Sequence, residues 1–511
     1  MSLSADSLHW AIDFVSQHSD GDLFPKVLEM QAVQTLQDDF ISQVGAKPLS
    51  AFKPGAHRRF IVPKDEVSYR VATQLDPQDS ILLSAIIHEY GNGLESRRLP
   101  PYQVFSYRFS PTSDEGFYSH KGAWNKFWST AYIQGGKSHT VLYCDIADFY
   151  NQIYHHVVEN QLIESGFPNQ AVKWLIALLE STTAQVSRGV PIGPHAVHLI
   201  AEATLIPIDN SMATTGLHFL RYADDIFIFC NSQNEARQAL ASVAAILDKQ
   251  QRLILQRHKT KFLTASECQK LCLTMIEDRP ISDDEDAVLK LIFKYSGGNP
   301  YKTVWYNQIS EEDWMKLTED VIAGIITDYL TQTPVDYIRL SWFYRRMSQI
   351  GHPGAIEISL TNIERLGPCF ANVCSYFASV QTIEPDDWRD IGAALIQLLD
   401  SPEVKTSEFF RLSILSLFSK NAHIDHFPAL ASRFQQSDPY ARREILLAAK
   451  EHKSIDWIRQ YKEHFGSMDP WQQRAVLYGA SGFPPDERKF FINQCVLDRP
   501  FDMVLAKWAK G

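Results

Sequence analysis

The sequence predicts an α+β protein, a split βαβ (ferredoxin-like) sheet followed by an all-α region of stacked helices, and three observations carry that prediction. The apolar run Thr140–Cys144 leads straight into Asp145. Asp224 and Asp225 stand at the head of the strand-like run Ile226–Cys230 with a turn before it, so a hairpin would carry both acids at its tip. After Asp283-Asp284-Glu285-Asp286 the texture changes to amphipathic helices joined by short polar turns. The expected division is therefore residues 1–285 and 286–511.

From about Ser7 to Gln43 the chain reads as helical with one interruption. Trp10, Ile12, Phe14 and Val15 precede Ser19-Asp20-Gly21-Asp22-Leu23-Phe24-Pro25, where acids, Gly and Pro break the helix; Val27, Leu28, Met30, Val33, Leu36 and Phe40 then resume the spacing. The basic cluster Lys53, His57, Arg58 and Arg59 runs into Phe60–Pro63, with Lys64 and Arg70 beyond it and a strand predicted at Val71–Leu75. A helix from Ile81 has Asp76 and Asp79 at its positive end. Arg97, Arg98 and Arg108 add charge before Trp124 and Trp128. The first third thus gathers positive charge ahead of an acidic centre, as a solvated face or as a phosphate-binding surface.

After Asp145, a helix is predicted over Phe149–Val158. In Arg188-Gly189-Val190-Pro191-Ile192-Gly193-Pro194, two glycines and two prolines fix an unusual turn before a helix from His195 to about Ile206. Beyond the Asp224-Asp225 strand come a helix at Asn234–Gln250, a short strand at Leu253–Leu255, and His258-Lys259-Thr260-Lys261-Phe262 leading into another strand. Strand, helix, hairpin, helix, strand is the split βαβ order, which sets Asp145 and Asp224 on neighbouring central strands although about 80 residues separate them. Adjacent acids repel, so Asp224-Asp225 alone is either a solvated turn or a cation site. Strand-end acids that converge can hold two divalent ions roughly 3.5–4 Å apart for in-line phosphoryl transfer.

Composition narrows the partners. A net charge of -11 disfavours a long duplex footprint, because sequence-independent grip on duplexes comes from neutralising phosphates. The seven cysteines form no paired framework; Cys268 and Cys272 lack a second pair at zinc spacing, so reduced thiols are expected. Without a basic-then-apolar N-terminus or an apolar run near ~18 residues, the expectation is a cytoplasmic protein with no membrane partner.

In the helical half, Ile414-Leu415, Ile445-Leu446 and Val476-Leu477 recur every 31 residues, and Asp438-Pro439 and Asp469-Pro470 open the last two units. Such helix pairs bury their faces only against neighbours, which predicts a HEAT-like α-solenoid. Trp388, Trp457 and Trp471, at helical spacing with aliphatics, point to core packing.

Asp145 with Tyr150 five positions on resembles motif A of reverse transcriptases. Gly189-Val190-Pro191-Ile192-Gly193 resembles motif B, Tyr222-Ala223-Asp224-Asp225 the Tyr-x-Asp-Asp box, and Lys259-Thr260 motif D. Arg70, a following helix and Phe105-Ser106-Tyr107-Arg108 resemble the fingers of the bacterial enzymes. The Asp20–Pro25 element and the Pro-Ile-Gly-Pro form of motif B are similar to the abortive-infection (Abi), AbiK-like reverse transcriptases.

The resemblance implies fingers and palm over residues 1–285. It implies that Asp145 and Asp224, with the Ile146 backbone, bind catalytic Mg²⁺ (or Mn²⁺), Asp225 supporting them, and that Lys259 protonates the leaving pyrophosphate. Lys64 and Arg70 would touch the triphosphate, Gly193 would admit the nucleotide to the backbone, and Tyr150 would block a ribose 2′-hydroxyl, making dNTPs the substrates. It further implies template-independent synthesis primed on a hydroxyl of the protein, a covalently attached single-stranded DNA product, homo-oligomers and a role in phage defence. Tyr69 is the first of 20 tyrosines, and no primer stands out. A conventional RNA-templated enzyme of the retron or group II intron type is the alternative, and an idle palm serving as scaffold a further one.

Overall fold

The structure, a computed structural model, describes residues 1–18, 23–112, 116–119, 122–276, 280–297, 302–380 and 382–511. Asp20, Gly21 and Asp22 of the N-terminal element lie outside the described residues. Two compact units gather the chain: Met1–Asp22, Gln37–Arg58 and Thr73–Arg279 in the first, and Leu23–Leu36, Arg59–Ala72 and Pro280–Gly511 in the second.

Among the described residues the strands are β1 (Arg58–Pro63) paired with β2 (Tyr69–Gln74), β3 (Phe109–Thr112) paired with β4 (Gly116–Tyr118), and a four-stranded sheet of β5 (Thr140–Asp145), β6 (Phe219–Tyr222), β7 (Asp225–Cys230) and β8 (Lys261–Leu263). That sheet has the order β6-β7-β5-β8, antiparallel throughout, which is the split βαβ arrangement. β5 is central because it pairs with β7 from Thr140↔Cys230 to Asp145↔Asp225 and with β8 from Val141↔Leu263 to Tyr143↔Lys261.

The unbroken apolar run of β7 follows from coverage on both faces. Val141, Phe227 and Phe229 join Phe127, Trp128, Cys268 and Cys272 in one core cluster, supplied by helices Ala123–Gly135 and Ala265–Thr274. The alternate positions Leu142, Cys144, Ile226 and Ile228 are buried too, and helix Gln233–Gln251 packs on β5 and β7. Cys268 and Cys272 are free thiols within that core.

Three local predictions change. The N-terminal helical stretch resolves into Ala5–His18, Met30–Thr35 and Gln37–Gly45. The helix expected over Phe149–Val158 is two, Phe149–Gln152 and His155–Glu164. It breaks because Tyr154 bridges Arg188 and the Ile153 carbonyl accepts from the Gly189 N–H (2.7 Å), so pairing with the glycine turn overrides helical spacing. The strand expected at Leu253–Leu255 reduces to one bridge, Leu255 with Ile146, where the chain crosses the end of β5.

In the second unit, helices Tyr337–Ile350, Phe370–Ser379, Glu408–Phe418, Pro439–Glu451, Pro470–Ala480 and Pro500–Lys510 stand in a row, each packed on the next. Asp438 and Asp469 cap two of them, each accepting two backbone N–H groups ahead of a proline at the first helical position. The repeated pairs Ile414-Leu415, Ile445-Leu446 and Val476-Leu477 are buried along this row, as is Trp471; Trp388, in helix Pro385–Leu398, is buried too, while Trp457 is half-buried among Phe427, Phe434 and Tyr461. Early segments of the chain complete the unit. Phe24 packs on Phe60 and Phe409, Phe60 on Tyr440, and buried Glu29 accepts from Arg443 Nη2 at 2.6 Å. No helix among the described residues is long and apolar enough to cross a membrane.

Candidate active site

The register of the central sheet brings the acids together. Asp145 closes β5 opposite Asp225, the first residue of β7, and Tyr222 at the end of β6 also pairs with Asp225. Only Ala223 and Asp224 are left for the turn, and Ala223 takes φ 50°, the left-handed region that a tight hairpin demands of its first central residue. The Ile146 N–H donates to the Asp224 carbonyl (3.1 Å) and the Gln256 N–H to the Asp145 carbonyl (2.7 Å), so the strand end and the turn are stitched by backbone.

Crowding and burial set the electrostatics. Asp145 is 4% exposed. The Asp225 carboxyl is pushed up to about 7 by burial first and then by the Asp224 charge, although the Tyr143 hydroxyl donates to it at 2.5 Å. Burial also drives the Tyr143 phenol well above its usual range, with the Asp225 charge adding to the effect. Lys259 reaches Asp145 Oδ2 at 2.5 Å from the segment before β8. Burial works against its charge, yet the hydrogen bond and the charges of Asp145, Asp225 and Asp224 hold its ammonium above the ordinary lysine value.

Beneath the turn lies a buried ion network that the sequence reading did not single out. Arg221, fully buried, donates through Nε and Nη2 to Asp209 (2.7 and 2.6 Å), through both Nη atoms to Glu202 (3.2 and 3.0 Å), and through Nη1 to the Ala223 carbonyl (2.9 Å). Arg98 Nη2 donates to the same Glu202 (2.7 Å) and to the Ser106 carbonyl (2.6 Å). Burial alone would raise the Glu202 carboxyl, but Arg221 and Arg98 outweigh it and keep it low; burial prevails at Asp209, whose carboxyl is raised. The signal was present: Glu202 and Asp209 interrupt an otherwise apolar helix, His195–Thr214, seven residues apart and so on one face.

The other predicted residues divide between the two units. Tyr150, in helix Phe149–Gln152, gives its carbonyl to the Val190 N–H (2.9 Å), tying it to the glycine turn; Gly189 and Gly193 take φ 101° and 134°, which L side chains rarely adopt. The Ile192 carbonyl in that turn accepts from the Thr73 N–H (2.7 Å). Exposed Lys64, in the β1–β2 connection, and half-buried Arg70, on β2, belong to the second compact unit, whereas Asp145, Asp224, Asp225, Lys259, Tyr150 and Gly193 belong to the first.

Residues 62–294 match the family model described as reverse transcriptase (RNA-dependent DNA polymerase). Residues 62–294 are a reverse transcriptase domain. The chain is accordingly an enzyme of the DNA polymerase, RNA-directed DNA polymerase-like kind. A search of curated proteins finds no match. Among solved structures, apo telomerase from Candida tropicalis is similar at a TM-score of 0.34 and 10% identity over 74% of each chain. Telomerase from Candida albicans, in complex with a fragment of telomeric RNA, is similar at 0.29 and 11% identity over 76% of this chain and 70% of that one.

Reverse transcriptase domains use divalent cations, typically Mg²⁺. Among the described residues no group of three or more His, Cys, Asp or Glu side chains forms a ready-made cage. What the domain offers is oxygen donors at the ends of the central strands, Asp145 and Asp224 with the Ile146 backbone beside them, and an Asp225 carboxyl raised by burial and then by its neighbours' charge. Two carboxylates and substrate phosphates are the donors Mg²⁺ favours over an all-protein cage, so the residues fit the ion.

Proposed function

We propose that this domain synthesises DNA from dNTPs by two-metal phosphoryl transfer. The observation that carries the reading is the pairing of Asp145 with Asp225 beside the Asp224 turn, with Lys259 on Asp145. An attacking hydroxyl loses its proton to solvent, and its oxygen forms a bond to the α-phosphorus while the bond to pyrophosphate breaks. Divalent cations, Mg²⁺ or Mn²⁺, held by Asp145, Asp224 and the Ile146 carbonyl would acidify the hydroxyl and neutralise the phosphates. Asp225, taking the Tyr143 hydroxyl, steadies the turn. Lys259, protonated and at hand, gives its proton to the departing pyrophosphate. The resemblance of the motifs further assigns Lys64 and Arg70 to the triphosphate, Gly193 to the approach of the nucleotide to the backbone, and Tyr150 to exclusion of a 2′-hydroxyl.

The finer reading is an Abi-type enzyme of phage defence: template-independent, primed on its own hydroxyl, its single-stranded product covalently retained, and homo-oligomeric. Its support is the resemblance of the Asp20–Pro25 element and of Pro191-Ile192-Gly193-Pro194. The row of C-terminal helices supports a solenoid in residues 286–511. The family match, described as RNA-dependent, favours a second reading, conventional copying of RNA. Purified protein is incubated with labelled dNTPs and Mg²⁺, with and without an RNA template and primer. A labelled, protease-sensitive adduct without template supports the Abi reading; strict dependence on template and primer sinks it in favour of the second.

A further inference from the structure

Tyr150 sits in an aromatic and hydrogen-bonded cage that nothing in its motif predicts. Its hydroxyl hydrogen-bonds His198 Nδ1 at 2.6 Å, and its ring stands edge-on to the imidazole, 5.8 Å between centroids at 88°. On the imidazole lies Tyr107, stacked at 4.2 Å and 6°. Both partners are fixed from behind. The Tyr118 hydroxyl donates to the His195 carbonyl (2.6 Å) and accepts from the Leu199 N–H (3.1 Å), which clamps the helical turn bearing His198. Tyr107 takes φ 45°, a strained region for a non-glycine residue, and Arg98 of the buried ion network holds it there by donating to the Tyr107 and Ser106 carbonyls (2.8 and 2.6 Å). Backbone strain held by a buried charge is the kind of feature that sites retain for function. The cage also reaches the acids: Tyr107 lies 6.1 Å from Tyr222, which leads into the Asp224 turn, and the Asp224 charge acts on the Tyr150 phenol.

We infer that His198 and Tyr107 are positioning residues for sugar discrimination, locking Tyr150 in the one rotamer that keeps a 2′-hydroxyl out of the nucleotide site. The inference rests on Tyr150 being the sugar-facing residue. A tyrosine gate attached only through its backbone can rotate about its side-chain bonds and admit a ribonucleotide part of the time. The bond to His198 ties the far end of the ring, and the Tyr107 stack keeps His198 from turning away. Selectivity then depends on a hydrogen bond and a stack that touch no nucleotide.

The test measures kcat/KM for a dNTP and for its rNTP in the full-length protein and in four variants. Tyr150→Phe removes one oxygen, His198→Phe keeps a stacking face and loses the bond, His198→Asn keeps a hydrogen-bonding group, and Tyr150→Ala removes the gate. Tyr150→Phe and His198→Phe should each lower the dNTP-to-rNTP ratio about tenfold, the worth of one hydrogen bond near 1.4 kcal/mol, chiefly by lowering KM for the rNTP. His198→Asn should recover most of the ratio, and in the two His198 variants the dNTP kcat should change less than about threefold. If Tyr150→Ala leaves the ratio untouched, the gate itself is wrong. If Tyr150→Ala collapses the ratio while Tyr150→Phe and His198→Phe retain it, the gate stands and the positioning inference is overturned. Should His198→Phe not fold, Tyr150→Phe alone decides.

Discussion

Replacing Arg221 by methionine should destabilise the reverse transcriptase domain and slow catalysis together. The substitution keeps an unbranched side chain of similar length but deletes all three donor nitrogens, and with them five hydrogen bonds: two to Asp209, two to Glu202 and one to the Ala223 carbonyl. Asp209 is then a buried carboxylate without its guanidinium, and Glu202 keeps only Arg98 and Ser106. Stripping one partner from a buried pair costs about 3–5 kcal/mol. For a domain of this size each kcal/mol lowers the melting temperature by about 2–4 °C, so a fall of roughly 10 °C is expected by calorimetry. Loss of the Ala223 tether should loosen the Asp224 turn and lower kcat at 20 °C, where the variant is still folded, by about tenfold, the equivalent of one hydrogen bond at 1.4 kcal/mol. Arg221→Lys retains the charge but a single ammonium cannot span both acids and the carbonyl, so it should fall between the two. A melting temperature within about 2 °C of the parent, with kcat unchanged, would refute the reasoning.

Asp224→Asn should leave the far-UV circular dichroism intact and reduce nucleotide incorporation at least about 10³-fold, and chelation of divalent cations by EDTA should do the same reversibly. Lys259→Ala should lower kcat by about 10²-fold with little change in KM for the nucleotide, read by single-turnover incorporation; a pure KM effect would argue against proton donation. Buried His352 accepts the Gly354 N–H at Nδ1 (3.1 Å) and burial holds its imidazole down at about 4. The unfolded chain takes up the proton first, near pH 6.5, so this contribution is complete above pH 6.5 and is lost as the pH falls towards 4, by about 3 kcal/mol. His352→Asn, which keeps an acceptor and cannot titrate, should flatten the fall in urea midpoint between pH 7 and 5; equal slopes in the two proteins would exclude His352 as its source. Arg443→Met should cost the second unit about 3–5 kcal/mol by stranding Glu29, measured by hydrogen exchange along the helix row.

Sheet order and the meeting of the acids were legible because both come from local pattern. Apolar runs beside Asp145 and Asp225, with room for only a two-residue turn between β6 and β7, leave little choice of register. The helix starts at Pro439 and Pro470 were legible because an aspartate cap followed by proline is a local signal. What escaped was decided at long range. Nothing between Phe149 and Val158 announces a break; it arises from the Tyr154–Arg188 bridge, made by a turn over 30 residues on. Glu202 and Asp209 stand out against the apolar residues of their helix, but their partners Arg98 and Arg221 lie elsewhere in the chain and only the fold brings them together. His198 and Tyr107 likewise become a site only once Tyr118 and Arg98 have set their backbones.

The Glu29–Arg443 pair has a bearing on synthesis. Its members are 414 positions apart, and Phe24 and Phe60 wait for Phe409 and Tyr440. At roughly 5–20 residues per second, translation needs on the order of 20–80 s to deliver the far partner after the near one emerges. For that interval the early aromatic residues and a carboxylate destined for burial wait on the ribosome for their partners, while the strands of the central sheet, all within the first 263 residues, emerge part-way through it. A chain that stalls after the sheet but before Arg443 therefore carries every acid of the site together with an unclosed second unit, and such fragments are the ones that cellular proteases and holding chaperones would meet first.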